Sequence, residues 1–366
     1  MQRIAVAKLK TGMVLARNVY NDDGQKLLSA DMTITRSFIR RLIDLKIPAV
    51  YVVNPYMEGI DEIPTVSEET RIETIQTVKR AFSIMKSPRS DIPYQEIQGV
   101  GKKIVSEVLR NREALLHLND IKTSDNYTFD HSVNVCIVSV LIAAGMNYPE
   151  ERMCDLAVGT LMHDVGKTLI DPAILNKPGV LTEEEMTIMK GHAELGFDLL
   201  RGSGQGISAP AMHVAFQHHE WFDGGGYPRG LKGNDIHEYA RIVAIADVYD
   251  AIISDRPYRP AQLPHEAYEI ILASNDLHFD PEILPLFLSK IAIYPIGTMV
   301  HLNSGDIGVV VDIQPGMTNR PVVRMILDKH GKLYSSQTDL DLREHLTLFV
   351  DQVLRDKTIF DLIGKK

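Results

Sequence analysis

Three textures of apolar and polar positions succeed one another along the chain. Up to about residue 55, short alternating runs such as Met13-Val14-Leu15 and Lys26-Leu27-Leu28 flank Asn21-Asp22-Asp23-Gly24, a pattern that predicts a β-hairpin with a polar turn. Ser37 to Lys46 sets Phe38, Leu42, Ile43 and Leu45 at helical spacing, and Ala49 to Val53 reads as a β-branched strand. Asn54 to Thr65, with two prolines, a glycine and several acids, reads as a linker. From about Ser67 the period becomes helical and stays so to Ile293. Helices are predicted over 70–86, 94–118, 131–145, 150–162, 182–200, 209–219, 239–254 and 265–273. After Tyr294-Pro295 the chain returns to strands, at 298–302, 308–313 and 322–327, separated by Asn-Ser-Gly-Asp and Pro-Gly turns. The expected fold class is multidomain and mainly α. A small α+β accessory domain spans 1–66, an all-α domain 67–294 and a β-rich extension 295–366.

Composition sharpens this picture without redirecting it. With 366 residues, 45% hydrophobic and 24% charged, the chain exceeds what one core usually supports. A net charge of -9 argues against a nucleic-acid polymer or a membrane surface as partner. The apolar stretch from Val133 to Met146 is interrupted by Asn134 and Ser139 and is too short for a bilayer. The first twenty residues lack a signal-peptide core, so cytoplasmic residence is the expectation. Cys136 and Cys154 sit among apolar neighbours and are expected to be buried thiols.

The chemistry concentrates in seven residues: His131, His163-Asp164, His192, His218-His219 and Asp247. Imidazole and carboxylate together suit first-row divalent metals, whereas all-oxygen sets suit magnesium or calcium. A carboxylate can bridge two ions, and Asp164, beside His163, is the candidate. One ion would take His131, His163 and Asp247, and the other His192, His218 and His219. A lone histidine is more often a hydrogen-bonded or solvated residue, and that reading is kept for the other eight histidines. The seven differ in context: Asp247 interrupts the apolar run Ile242 to Ala246, where an unpaired carboxylate would be costly. His192 follows a Thr182/Glu185 capping-box spacing. Asp22-Asp23-Gly24 is read as a turn rather than a phosphoacceptor.

Four stretches carry a resemblance. His163-Asp164-Val165-Gly166-Lys167, Ile174 to Thr182, His218 to Pro228 with Gly226-Tyr227-Pro228, and Ala246 to Asp250 followed by Asp255-Arg256-Pro257-Tyr258-Arg259 together resemble the HD-GYP family over residues 120 to 290. The resemblance implies an HD-type helical bundle and metal-dependent hydrolysis of the bacterial second messenger cyclic di-GMP to linear pGpG, in some members onward to GMP. It implies two divalent transition-metal ions per chain, iron or manganese before zinc, nickel or cobalt, with a bridging hydroxide. The same seven ligands are implied, with Asp164 and Lys167 in catalysis. Lys167, Tyr227, Arg256 and Arg259 are implied to meet the substrate, Lys167 as a point charge on the scissile phosphate. Some members hold a third metal with a glutamate four residues before the first ligand histidine. Tyr127 stands there instead, so two ions are expected. The resemblance leaves room for a homodimer and for a protein partner at the Gly-Tyr-Pro loop. The rival reading is a cyclic di-GMP sensor without turnover, or a phosphodiesterase for another cyclic dinucleotide.

Overall fold

In the computed structural model the described residues are 1–21, 25–45, 47, 49–57, 60, 64–86, 92–111, 127–203, 206–254, 261–274 and 278–354. They fall into two packed units, one within 1–64 and 292–354, the other within 65–111 and 128–291.

At the amino terminus β1 (Gln2–Ala5), β2 (Val19–Tyr20), β3 (Lys26–Leu28), α1 (Arg36–Asp44) and β4 (Ala49–Val52) follow in order. β1 pairs antiparallel with β4, and β2 with β3. The hairpin is shorter than expected, because Met13 to Leu15 does not join it: Val14 bridges Thr33 and Leu15 bridges Val52. Leu15 is fully buried in a core with Ile4, Ile34, Val50 and Val52, and burying that side chain outweighs continuing a two-stranded ribbon. The Asp22-Asp23-Gly24 turn lies outside the described residues.

The helical unit comprises α2 (Glu68–Ile84), α3 (Tyr94–Arg110), α4 (Tyr127–Gly145), α5 (Glu150–Leu161), α6 (Pro172–Leu175), α7 (Glu183–Lys190), α8 (His192–Gly202), α9 (Ala209–Gln217), α10 (Glu238–Ile253), α11 (Pro264–Ala273) and α12 (Leu284–Lys290). α4 is buried on all sides from Asp130 to Ala144, as its largely apolar sequence requires. No helix among the described residues is long and apolar enough to cross a membrane. Cys136 and Cys154 are buried free thiols.

The helix expected over 182–200 is two helices broken at Gly191, a residue type of weak helical preference. The expected capping box is present, with Thr182 and Glu185 exchanging side-chain and backbone hydrogen bonds at 3.2 and 2.8 Å. α6 and α12 were not anticipated, being too short for a periodic signal. Gly159 on α5 faces α9 so closely that a Cβ there would lie 2.9 Å from the Ala211 Cα. That contact packs the last turn of α5, which leads to His163 and Asp164, against the first half of α9, which leads to His218 and His219.

The carboxyl-terminal strands β5 (Met299–Leu302), β6 (Ile307–Asp312), β7 (Val322–Leu327), β8 (Asp339–Asp341) and β9 (Val350–Val353) form one antiparallel sheet in the order β8-β7-β6-β5-β9. β8 and β9, largely polar edge strands, escaped the reading of the sequence. Met57 packs with Met299, Val309, Val311 and Ile326 of this sheet, and Arg324 bonds both Asp339, at 2.8 and 3.0 Å, and the Tyr56 carbonyl, at 3.2 Å.

Candidate metal centre

Helix ends build most of this site. His163 and Asp164 follow the last turn of α5, His192 opens α8 after the Gly191 break, and His218 closes α9 with His219 next. His131 and Asp247 project from within α4 and α10. The last carbonyls of a helix lack an intrahelical donor. Here histidine rings add a donor to carbonyls of the last turns: His163 Nδ1 meets the Thr160 carbonyl at 2.7 Å, His192 Nδ1 the Met189 carbonyl at 2.6 Å, and His218 Nδ1 the Val214 and Ala215 carbonyls at 3.0 Å. Each bond places the N–H on Nδ1 and leaves Nε2 as a lone-pair donor facing inward.

All seven residues come together. Asp164 is at the centre, 1% exposed. Its Oδ1 faces His192 Nε2 at 3.5 Å and His218 Nε2 at 3.8 Å; its Oδ2 faces His163 Nε2 at 3.4 Å and His131 Nε2 at 3.9 Å. Asp247 lies 3.0 Å from His131 Nε2 through one oxygen and 3.7 Å from His219 Nδ1 through the other. The candidate ligand atoms form two groups, His131/His163/Asp164 and His192/His218/His219, each spanning no more than 4.8 Å.

Of the buried side-chain atoms without a hydrogen-bond partner among the described residues, two lie in this cluster, His163 Nε2 and Asp164 Oδ1. Leaving such groups unpaired costs about 1–3 kcal/mol each, and both are lone-pair donors turned into the cluster. An electron-pair acceptor, which a divalent cation is and another side-chain acceptor is not, would satisfy both. The residues present therefore fit a metal.

The electrostatics agree. Burial holds His192, His218 and His219 below the ordinary imidazole value, His219 at about 3, so all three are neutral and ready to ligate. Burial works against ionised Asp164, but Lys167 and His163 keep it well below the usual carboxylate range. Burial likewise opposes charge on Asp247, and the His131 hydrogen bond holds it down. His131 is the exception: burial would lower it, yet hydrogen bonds to Asp247 and Asp250 bring it to about 10.

The residues expected to meet substrate are unevenly visible. Lys167, on the turn after Asp164, reaches Asp164 Oδ2 at 2.5 Å and keeps a quarter of its side chain exposed. The Tyr227 ring stacks on His219 with centroids 4.7 Å apart and lies 6.5 Å from His192. Arg256 and Arg259 lie outside the described residues, and Tyr127 begins α4 with its side chain undescribed.

Three supports escaped the sequence reading. Asp250, three residues after Asp247 on α10, accepts from His131 Nδ1 at 2.7 Å and from Asn134 Nδ2 at 2.9 Å. It does for His131 what backbone carbonyls do for the histidines at helix ends. Glu220, 2% exposed, accepts from the Arg229 and Leu231 amides at 2.8 and 2.9 Å and ties the Gly-Tyr-Pro loop to the His218-His219 doublet. Gly166 packs directly on the His192 backbone. A carboxylate at i+3 from a predicted ligand was the available signal for Asp250.

Residues 115–283 match the HD domain family and residues 299–362 the KOW domain associated with HD domain. A cyclic di-GMP phosphodiesterase of Pseudomonas aeruginosa is 38% identical over 240 residues, 66% of this chain and 58% of that one. The cyclic di-GMP phosphodiesterase response regulator RpfG of Xanthomonas campestris is 38% identical over 180 residues, 49% of this chain and 48% of that one. The chain thus spans only about half to three fifths of these relatives' lengths. An HDG"Y"P protein from Bdellovibrio bacteriovorus shares the fold, with a TM-score of 0.53 and 17% identity over 78% of this chain and 97% of that one. Histidines and aspartates converging from five helices, together with the match over residues 115–283 and these relatives, show that this stretch is an HD domain similar to those of the cyclic di-GMP phosphodiesterases.

Proposed function

We propose that this protein hydrolyses cyclic di-GMP to linear pGpG at a dinuclear centre held by His131, His163, Asp164, His192, His218, His219 and Asp247. The observation that carries the reading is Asp164, whose two oxygens face two separate histidine groups and whose Oδ1 has no other partner. Two divalent transition ions, iron or manganese, would supply the hydroxide nucleophile and the positive charge that offsets the phosphoryl oxygens. The chain's own part is to bind and orient. Lys167 turns from Asp164 to the scissile phosphate as a compact charge, Tyr227 offers its ring to a guanine, and Arg256 and Arg259 hold phosphate or base edges by the fork geometry of guanidinium. Tyr127, a phenol where a third carboxylate ligand would stand, keeps the count at two ions, and pGpG is the main product. Catalysis belongs to residues 67–294, with 1–66 and 295–366 as accessory parts, and the reaction runs in the cytoplasm.

The relatives' names support a cyclic dinucleotide as substrate. The test is to purify the protein anaerobically, count its metals by elemental analysis, and follow cyclic di-GMP and the mixed guanine–adenine dinucleotide by chromatography beside His218→Ala and His219→Ala controls. Conversion of cyclic di-GMP to pGpG by the wild type alone is expected. Full metal occupancy without product would replace the enzyme by a sensor.

A further inference from the structure

Arg71 lies on α2, outside the HD domain match that begins at residue 115, and is 7% exposed. Its Nη2 donates to Asn134 Oδ1 on α4. Asn134 Nδ2 donates to Asp250 Oδ1 at 2.9 Å, and Asp250 Oδ2 meets His131 Nδ1 at 2.7 Å, with Ser254 Oγ donating to the same oxygen at 3.3 Å. Asn134 is 4% exposed and Asp250 1%. The chain of bonds has one direction only. A guanidinium has no acceptor and a carboxylate no donor, so the Asn134 amide between them can be oriented in one way. The rotation of Asp250, and with it the direction in which His131 points Nε2, is therefore set from Arg71.

The register of Arg71 is fixed in turn. Glu107 on α3 accepts from Ser67 N at 2.6 Å, Ser67 Oγ at 3.0 Å and Thr70 Oγ1 at 2.6 Å, so the first turn of α2 is clamped beside Arg71. A buried guanidinium is expensive to desolvate and stays charged. Its placement against an amide that leads to a carboxylate gives that charge a use, since it polarises the hydrogen-bonded chain that orients Asp250.

We propose that Arg71 is a positioning residue for the metal centre, acting through Asn134 and Asp250 on His131, and thus that a helix outside the HD domain match completes the site. The inference rests on the metal reading above. The test titrates metal-stripped protein with manganous ion and counts free ion by electron paramagnetic resonance, without substrate. In the wild type two binding events are expected. Arg71→Met should weaken one of them by about 10-fold, the low end of what loss of an outer-shell partner does, and leave the other unchanged. Added to Asp250→Asn, the same substitution should have no further effect, because it acts through that residue. If the methionine variant does not fold, Arg71→Lys, which keeps the charge but loses the fork, should weaken the same event by about 3-fold. Unchanged affinities, equal weakening of both events, or full additivity with Asp250→Asn would overturn the inference. A wild type that binds no manganous ion would overturn the metal reading along with it.

Discussion

Gly166 has no room for a side chain against His192: a Cβ built there would fall inside contact with the His192 carbonyl oxygen and lie 2.5 Å from the Gly196 amide nitrogen. Both are backbone atoms, so the strain cannot be relieved by a rotamer change. Gly166→Ala is expected to destabilise the protein by about 2–4 kcal/mol, as overpacking of a tight backbone contact does. Chemical denaturation of metal-stripped protein measures it. An unchanged midpoint would show that the two turns separate more freely than their packing indicates.

Glu220 joins two parts of the site without belonging to either group of ligands. Glu220→Gln keeps the shape but leaves one oxygen to accept from two loop amides, at a cost of about 1–3 kcal/mol. The expected result is a raised KM for the cyclic dinucleotide with metal content intact, because the His218-His219 doublet stays on α9 while Tyr227 loses its brace. Loss of metal at unchanged KM would assign Glu220 to the ligands instead.

His131 gives the metal-free protein a pH signature. Burial would lower its imidazole, but Asp247 and Asp250 bring it to about 10. A folded-state value above the unfolded one of about 6.5 means stabilisation that is complete below the unfolded value and lost as pH climbs through about 10. The melting temperature of stripped protein should therefore fall from pH 7 to 10, and His131→Gln should flatten that fall. An ion entering beside His131 at pH 7.5 must expel its proton, whereas His192, His218 and His219 are already neutral. Calorimetric titrations in two buffers of different ionisation enthalpy should report release of about one proton with one ion and none with the other.

Asp164→Asn is expected to be the most damaging single change among the ligands. An amide cannot serve both histidine groups through two anionic oxygens, so affinity for both ions should fall by more than about 100-fold, beyond the loss seen for outer-shell partners. Elemental analysis after dialysis against the metal separates this from a variant that loses only one ion.

The α-helical class and the histidines and two aspartates that cluster were legible because each residue interrupts a local pattern. Asp247 breaks an apolar run, and His163 and His218 stand where helices stop. What stayed hidden depends on distance along the chain. Arg71 reads as a solvated helix residue until α4 and α10 pack beside it, and Asp250 as a second acid on a mostly apolar helix. Gly166 reads as a turn glycine until α8 lies against it. The break at Gly191 was missed because a helical period continues across it, although the break is what places His192 at the start of α8.

Lys167 rests on the same Asp164 oxygen that an ion would claim. The folded chain thus carries an internal counter-charge where a metal ion would sit. The ammonium offsets part of the buried negative charge; were a divalent ion to take that oxygen, the contact would become redundant and the lysine would be freed. On the proposed function, one displacement would serve two ends, an ion gaining the Asp164 oxygen and Lys167 becoming available to a phosphate. Affinity for an anionic substrate would then rise only with metal in place.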